Sequence, residues 1–314
     1  MKKIKLAYVV DSMQYIKQEP YQHQLYEKLN EVAEVEVFEM KDVISARLDR
    51  DFDKVLSCLK LKTIYRNIEN LKKFFNDKKL VVYEQDPWEN YRDDGVFKGA
   101  YDKIINNFNV DFIANTTKWW ADYGKKNNYP TKFVKMGILP KYCTTGPKFV
   151  DRKFPVGFIG AVYDYRKQVL DIIREHGIHV EVPASERAFS YQGFLNKISD
   201  FKIYAHNEEK IFTHNNKKIP ISSGLWVKDL DAAARGCFSI RNYHSQYDSV
   251  IDENIQTVKL FGHPLDAINV VEDILSMNEK TRQNMIDDTV SYLKSKDIWK
   301  ETSEVLVGLR EEVK

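Results

Sequence analysis

The chain has 314 residues, too many for one ordinary domain and suited to two of about 150 each. Its 43% hydrophobic and 30% charged residues are the balance of a soluble globular protein. A net charge of +2, with acidic and basic residues well mixed, supplies no dominant basic field and excludes a nucleic-acid binder.

The opening Met1-Lys2-Lys3-Ile4 lacks the apolar stretch and small-residue cleavage site of a signal peptide. No window approaches about 18 consecutive apolar residues, so no transmembrane segment is expected, and the Lys-rich pieces leave only a peripheral contact with an anionic membrane open. Cys58, Cys143 and Cys237 are far apart and have no disulfide or metal-ligand spacing. A cytoplasmic location fits all of this. Aromatic residues reach 13%, which suits either stacking surfaces or a core built on Phe and Tyr.

In chain order, Ile4 to Val10 reads as a buried strand closed by Asp11, Tyr21 to Val32 as a helix, and Val35 to Met40 as a second strand. Leu56 to Phe75 reads as one helical stretch, Leu80 to Tyr83 as a strand, and Gly99 to Asn107 as a helix. A strand at Asp111 to Ala114, a helix at Thr117 to Lys126 and a strand at Phe133 to Met136 complete the first half. Pro140, Gly146 and Pro147 then mark a linker over Gly137 to Pro155. The alternation restarts with strands at Val156 to Ile159, His179 to Val182, Phe201 to Ala205, Cys237 to Ile240 and Thr257 to Phe261. Helices are predicted at Tyr163 to Glu175, Phe189 to Ile198, Leu225 to Arg235, Pro264 to Met277 and Glu279 to Lys294, with His206 to Ser223 a polar segment. A terminal helix near Asp297 to Arg310 has an apolar face that includes Trp299.

Strands alternating with helices imply parallel sheets covered on both faces. The expected fold class is therefore α/β, with two tandem Rossmann-like doubly wound domains facing a cleft. Their expected boundaries are 1–145 and 146–296, followed by a terminal segment 297–314. Such domains bind ligands beyond the carboxyl ends of their strands.

Two segments carry chemistry. In Val156-Gly157-Phe158-Ile159-Gly160-Ala161-Val162-Tyr163-Asp164-Tyr165-Arg166 a buried strand ends at a glycine and a helix follows. Gly160 allows close approach of backbone to a ligand, the helix N-terminus favours an anion, and Arg166 can fork onto a phosphate. The bland alternative is an ordinary turn with a surface Arg. In Ser223 to Ile240 a helix of small residues ends at Gly236, with Lys228 and Asp231 three apart on one face. That pair reads either as phosphate and ribose contacts or as a surface ion pair.

The C-terminal half, roughly 154 to 294, resembles the spore-coat CgeB-like glycosyltransferases within the GT-B, GT4-like group. The matching features are Phe158-Ile159-Gly160 with Tyr163 and Arg166, the aromatic-led helix from Ser190 to Leu195, and Lys228, Asp231, Ala234 and Gly236 in the R-x-x-E-x-x-A-x-G pattern. The resemblance implies a donor site in which Gly160 and Arg166 contact a diphosphate, Asp231 the nucleotide ribose and Lys228 a phosphate, and it implies that the terminal segment 297–314 crosses back to the first domain. Two departures stand out: Lys replaces the usual Arg, and Ser223 stands where a Glu is usual eight residues before Asp231.

Tyr163 and Asn207, the latter following the strand that ends at Ala205, complete the expected donor-binding set. On the acceptor side, Tyr83 to Tyr91 joins carboxylates to aromatics. There Asp86 is a candidate general base beside Trp88, and Asp11 and His23 are further candidates. Asp86, Arg166 and Lys228 form the expected catalytic set.

The expected activity is metal-independent transfer of a sugar from a nucleoside-diphosphate sugar, UDP-linked by default, to a glycan, lipid-linked or protein acceptor hydroxyl. The donor is a substrate and no cofactor is expected. A GT-B-shaped nucleotide-sugar epimerase and a catalytically silent nucleotide- or partner-binding relative are the alternatives. No P-loop, G-x-G-x-x-G or G-x-S-x-G segment is present.

Overall fold

The structure is a computed structural model that describes residues 3–14, 20–45, 52–75, 77–183, 189–206, 211–220, 227–243 and 252–312. The chain divides into two compact units. One comprises Met1–Met136, Phe212–Ile219 and Ile298–Lys314; the other comprises Gly137–Ile211 and Pro220–Asp297. Among the described residues no helix is long and apolar enough to cross a membrane.

In the first unit the described strands are β1 (Ile4–Val10), β2 (Ala33–Glu39), β3 (Lys54–Ser57), β4 (Lys79–Glu84), β5 (Val110–Asn115) and β6 (Thr131–Phe133). They pair in the order β2-β1-β3-β4-β5-β6, and every pair is parallel. Parallel neighbours need a crossover between them, so helices cover the sheet and its strands become apolar throughout. Leu6 to Val10 are fully buried for this reason.

The crossovers include α1 (Pro20–Val32), α2 (Met40–Ser45), α3 (Leu61–Arg66), α4 (Ile68–Phe75), α5 (Ala100–Ile105) and α6 (Lys118–Lys126). The predicted helix from Leu56 to Phe75 is thus corrected. Its first residues belong to β3, a four-residue strand buried at every position, and two short helices follow. The strand placed at Phe133 to Met136 lies earlier, at Thr131–Phe133.

The second unit contains β7 (Phe154–Gly157), α7 (Asp164–Glu175), β8 (Val180–Glu181), α8 (Tyr191–Ser199), β9 (Phe201–His206), α9 (Val227–Ala234), β12 (Phe238–Asn242) and β13 (Val258–Phe261). The helices α10 (Ala267–Ser276) and α11 (Glu279–Ser295) follow. Its strands are also all parallel, ordered β13-β12-β9-β7-β8. Counted within each unit, both sheets show the same doubly wound order, in which the chain reverses direction between the first and third strands. The stretch Gly137 to Pro155, read as a linker, lies in this unit and forms short 3-10 turns at Pro140–Tyr142 and Phe149–Asp151.

The segment read as polar, His206 to Ser223, contains a β-hairpin, β10 (Ile211–His214) and β11 (Lys217–Pro220). Asn215 and Asn216 form its turn with φ of 49° and 60°, the left-handed pair that suits a two-residue hairpin. Although it follows β9 in sequence, the hairpin packs in the first unit. The Thr213 carbonyl accepts from the Asp93 amide at 2.8 Å, and the buried His214 ring meets Tyr91 and Tyr123.

The last helix, α12 (Ile298–Val307), also belongs to the first unit and packs on α1. Trp299 is fully buried, and the Thr302 hydroxyl donates to the Lys135 carbonyl at 2.7 Å.

The join between α9 and β12 in the second unit is made by Gly236 at φ 65°, the left-handed residue that closes a helix. A Cβ there would lie 2.5 Å from the Thr145 carbonyl oxygen and 2.8 Å from Ile286. The surroundings are held by the buried Arg152 guanidinium, which donates to the carbonyls of Thr145, Ser199, Phe201 and Arg235. Gly236→Ala is therefore expected to cost roughly 1–3 kcal/mol through backbone strain and overpacking. Urea unfolding checks this, and an unchanged midpoint would contradict it.

Candidate functional site

The reversal of strand order in the second unit lies between β7 and β9, where a doubly wound sheet opens a crevice beyond its carboxyl ends. From β7 the chain continues through buried Phe158 and Ile159 to Gly160, which adopts φ 148°. A Cβ at Gly160 would come within 3.1 Å of the Phe158 ring and 3.3 Å of Lys228 Nζ, so glycine suits both the conformation and the crowding. Lys228, in the first turn of α9, donates to the Ile159 carbonyl at 3.4 Å, and the Tyr204 hydroxyl donates to the same oxygen at 3.0 Å.

Arg166 lies in the first turn of α7 and donates to the Ala161 carbonyl at 2.7 Å. Its guanidinium carbon lies 5.3, 5.2 and 5.6 Å from the ring centres of Phe158, Tyr163 and Tyr165. Those rings hold the cation near the turn by cation–π attraction and restrict its rotamers. The helix opens at Tyr163 without a side-chain cap. Gly160, Tyr163, Arg166 and Lys228, named from sequence as donor residues, are thus gathered beyond the carboxyl end of β7.

Asp231 is placed differently. Its carboxylate is fully buried in α9 and accepts from the Tyr191 hydroxyl at 2.7 Å. Asn207 lies outside the described residues.

Asp229, passed over in the sequence reading, is a second buried carboxylate of α9. It is fully buried and accepts from Ser239 Oγ at 2.6 Å, Arg241 at 3.0 Å and His206 Nδ1 at 3.2 Å. Burial alone would raise its pKa. The charge of His206 when protonated and that of Arg241, together with hydrogen bonds from His206 and Ser239, outweigh burial and hold the carboxyl below the usual carboxylate range. A sequence signal for this cluster would have required knowing that His206 and Arg241 are register partners on β9 and β12.

In the first unit, Asp11 ends β1 at the corresponding reversal between β1 and β3. It accepts from Thr63 Oγ1 at 2.8 Å and the Lys60 amide at 3.3 Å, which fastens the start of α3. His23, half-exposed on α1, pairs with Glu27 at 2.7 Å. Asp86 is exposed at the start of a 3-10 turn, Pro87–Asn90, and receives the Trp88 indole N–H at 3.4 Å. Trp88 is itself buried, so its indole packs inward instead of presenting an open stacking face.

Glu84, at the end of β4, was also missed. Only 3% exposed, it accepts the Asp86 amide on Oε1 at 2.7 Å, while Oε2 has no hydrogen-bond partner among the described residues. Its register partner Asn115 is fully buried, with both side-chain amide atoms unpartnered among the described residues. Burial, and next the Asp86 charge, push the Glu84 carboxyl up to about 8.

No known protein family matches the sequence, and no curated protein is similar to it. Solved structures do match its fold. The Anabaena protein Alr3699/HepE in complex with UDP is 11% identical, with a TM-score of 0.57 over 98% of this chain and 99% of that one. An E. coli trehalose-6-phosphate structure bound with UDP-2-fluoro glucose is 10% identical, with a TM-score of 0.58 over 97% and 98% of the two chains. Sucrose-phosphate synthase from Thermosynechococcus elongatus is also 10% identical at 0.58, covering 98% of each. At such identities the likeness is one of fold. Together with the matching sheet orders it defines the chain as an α/β protein of two Rossmann-like domains, the GT-B fold.

Glu84 yields a test with a definite sign. A carboxyl raised from 4.5 to about 8 is neutral in both folded and unfolded chains at low pH. As pH climbs through that window the unfolded chain ionises first, so stability is lost, with a ceiling of roughly 4–5 kcal/mol. Glu84→Gln removes this loss. Thermal unfolding is expected to show the variant above wild type at pH 8 and level with it near pH 4.5. A difference independent of pH would contradict the assignment.

Proposed function

We propose that the chain is a glycosyltransferase that moves a sugar from a nucleoside-diphosphate sugar, UDP-linked by default, to an acceptor hydroxyl without a metal. The observation that carries this reading is the convergence of two cations, Arg166 and Lys228, on the Gly160 turn at the strand-order reversal of the second sheet. A departing nucleoside diphosphate gains negative charge in the transition state. Preorganised cations beside a glycine turn supply what that charge needs. The solved relatives in fold include one with UDP and one with UDP-2-fluoro glucose, which favours the uridine nucleotide. The narrower GT4-like, CgeB-like placement rests on the sequence motifs.

In this reading Gly160 and Tyr163 frame the diphosphate while Arg166 and Lys228 neutralise it. The ribose contact assigned by resemblance to Asp231 has to share that carboxylate with the Tyr191 hydroxyl. Asn207 stays a donor-side proposal. On the acceptor side, Asp86 offers an exposed carboxylate as general base, with Asp11, His23 and Trp88 the other acceptor-side candidates in the same unit. The acceptor is a glycan, lipid-linked or protein hydroxyl.

Two measurements test this. In a thermal-shift panel of UDP, GDP, dTDP and CMP, UDP is expected to stabilise the protein most. No stabilisation by any of them removes the donor site. With a turned-over donor, Arg166→Ala is expected to cost on the order of 2–4 kcal/mol in kcat/KM, about 30- to 1000-fold. An unchanged kcat/KM would show that Arg166 does not face the diphosphate.

A further inference from the structure

Beside the Gly160 turn lies a charged cluster that neutralisation of the diphosphate by Arg166 and Lys228 leaves unused. His206 closes β9, its register partner Arg241 lies on β12, and Asp229 enters from α9 one residue after Lys228. All three are buried. The His206 ring lies 6.0 Å from the Tyr204 ring, and the Tyr204 hydroxyl reaches the Ile159 carbonyl that Lys228 also reaches. His206 therefore stands on the β9 side of the strand-order reversal, with the glycine turn on the β7 side.

The geometry defines what this histidine can do. Its Nδ1 meets Asp229, an acceptor-only group when ionised, so Nδ1 carries the proton and Nε2 is the nitrogen that gains or loses one. Ser239 donates its hydroxyl proton to the same Asp229 oxygen and so commits it to the carboxylate, which argues against a serine nucleophile relay. Asp229 from α9 favours the imidazolium. Among the described residues, Arg241 from β12 and Lys228 on α9 oppose it, and Tyr204 and Ser239 are neutral neighbours. A diphosphate arriving at the Gly160 turn adds negative charge and shifts that balance toward protonation.

We propose that His206, clamped by Asp229, is a proton-linked positioning residue of the nucleotide-diphosphate site: it takes up a proton as the diphosphate binds. This rests on the donor-site reading of Gly160, Arg166 and Lys228. Asp229 fixes the ring and Arg241 fixes Asp229, so both act through His206.

The test uses a nucleotide sugar whose phosphates do not titrate between pH 6 and 8, namely UDP-glucose, UDP-galactose or UDP-N-acetylglucosamine, whichever binds. Calorimetry at pH 7 in phosphate and in Tris, buffers with different ionisation heats, reports the protons exchanged. Wild type is expected to take up a sizeable fraction of one proton, and its Kd to rise severalfold from pH 6 to pH 8. His206→Gln is expected to bind with equal heats in both buffers, and Asp229→Asn to lose most of the uptake. In case the variants fold poorly, NMR of wild type labelled with 13C-histidine reads the same event as a titration shift of one imidazole on binding. Binding with equal heats in wild type, or proton uptake that persists in folded His206→Gln, overturns the proposal. Failure of every nucleotide and nucleotide sugar to bind overturns the donor reading and this proposal with it, an outcome distinct from binding without proton exchange.

Discussion

Parallel pairing is the constraint on which the rest of this molecule depends. Two parallel neighbours cannot be joined by a tight turn, so each strand must be followed by a crossover that covers one face of the sheet. In both units the chain winds first to one side and then to the other, and the strand order reverses once, between β1 and β3 and between β7 and β9. At that reversal the loops diverge and leave backbone donors and helix starts facing outward. Gly160, Arg166 and Lys228 are where they are because β7 and β9 are neighbours while the helices that follow them leave on opposite sides.

The same architecture places carboxylates at strand ends and then treats them in opposite ways. Glu84 ends β4 buried, with Asp86 as a nearby negative charge, and it is held protonated up to about 8. Asp229 is just as deeply buried, yet two basic side chains and a hydroxyl meet it, and it stays ionised below the usual range. Burial penalises charge in both cases, and the partners decide the outcome. Glu84 and Asn115 therefore store unspent hydrogen-bonding capacity, whereas Asp229 spends its capacity fastening β9, β12 and α9 into one rigid edge.

Much of this was legible in the residues. The apolar run Ile4 to Val10, the restart at Val156 and the helix that Gly236 terminates follow directly from periodicity and turn chemistry, and they gave the α/β class. The strand at Lys54–Ser57 was not legible, because four buried residues show no alternation and merge with the helical pattern that follows. The hairpin at Ile211–Pro220 was missed although Asn215-Asn216 is a turn signal, since lysines and a histidine gave the stretch a polar look. At the site, the glycine turn and its two cations could be read locally. The Asp229 cluster could not: it joins residues up to 35 positions apart, His206 to Arg241, through a strand register that only the folded chain displays.

The central claim is that the Gly160 turn of the second unit holds a nucleoside diphosphate. The most direct measurement is a crystal structure of the protein grown with saturating UDP. The account predicts diphosphate oxygens within hydrogen-bond distance of the Gly160 turn, with Arg166 and Lys228 both turned onto them. UDP ordered elsewhere on the chain, or no bound nucleotide at saturation, would contradict it.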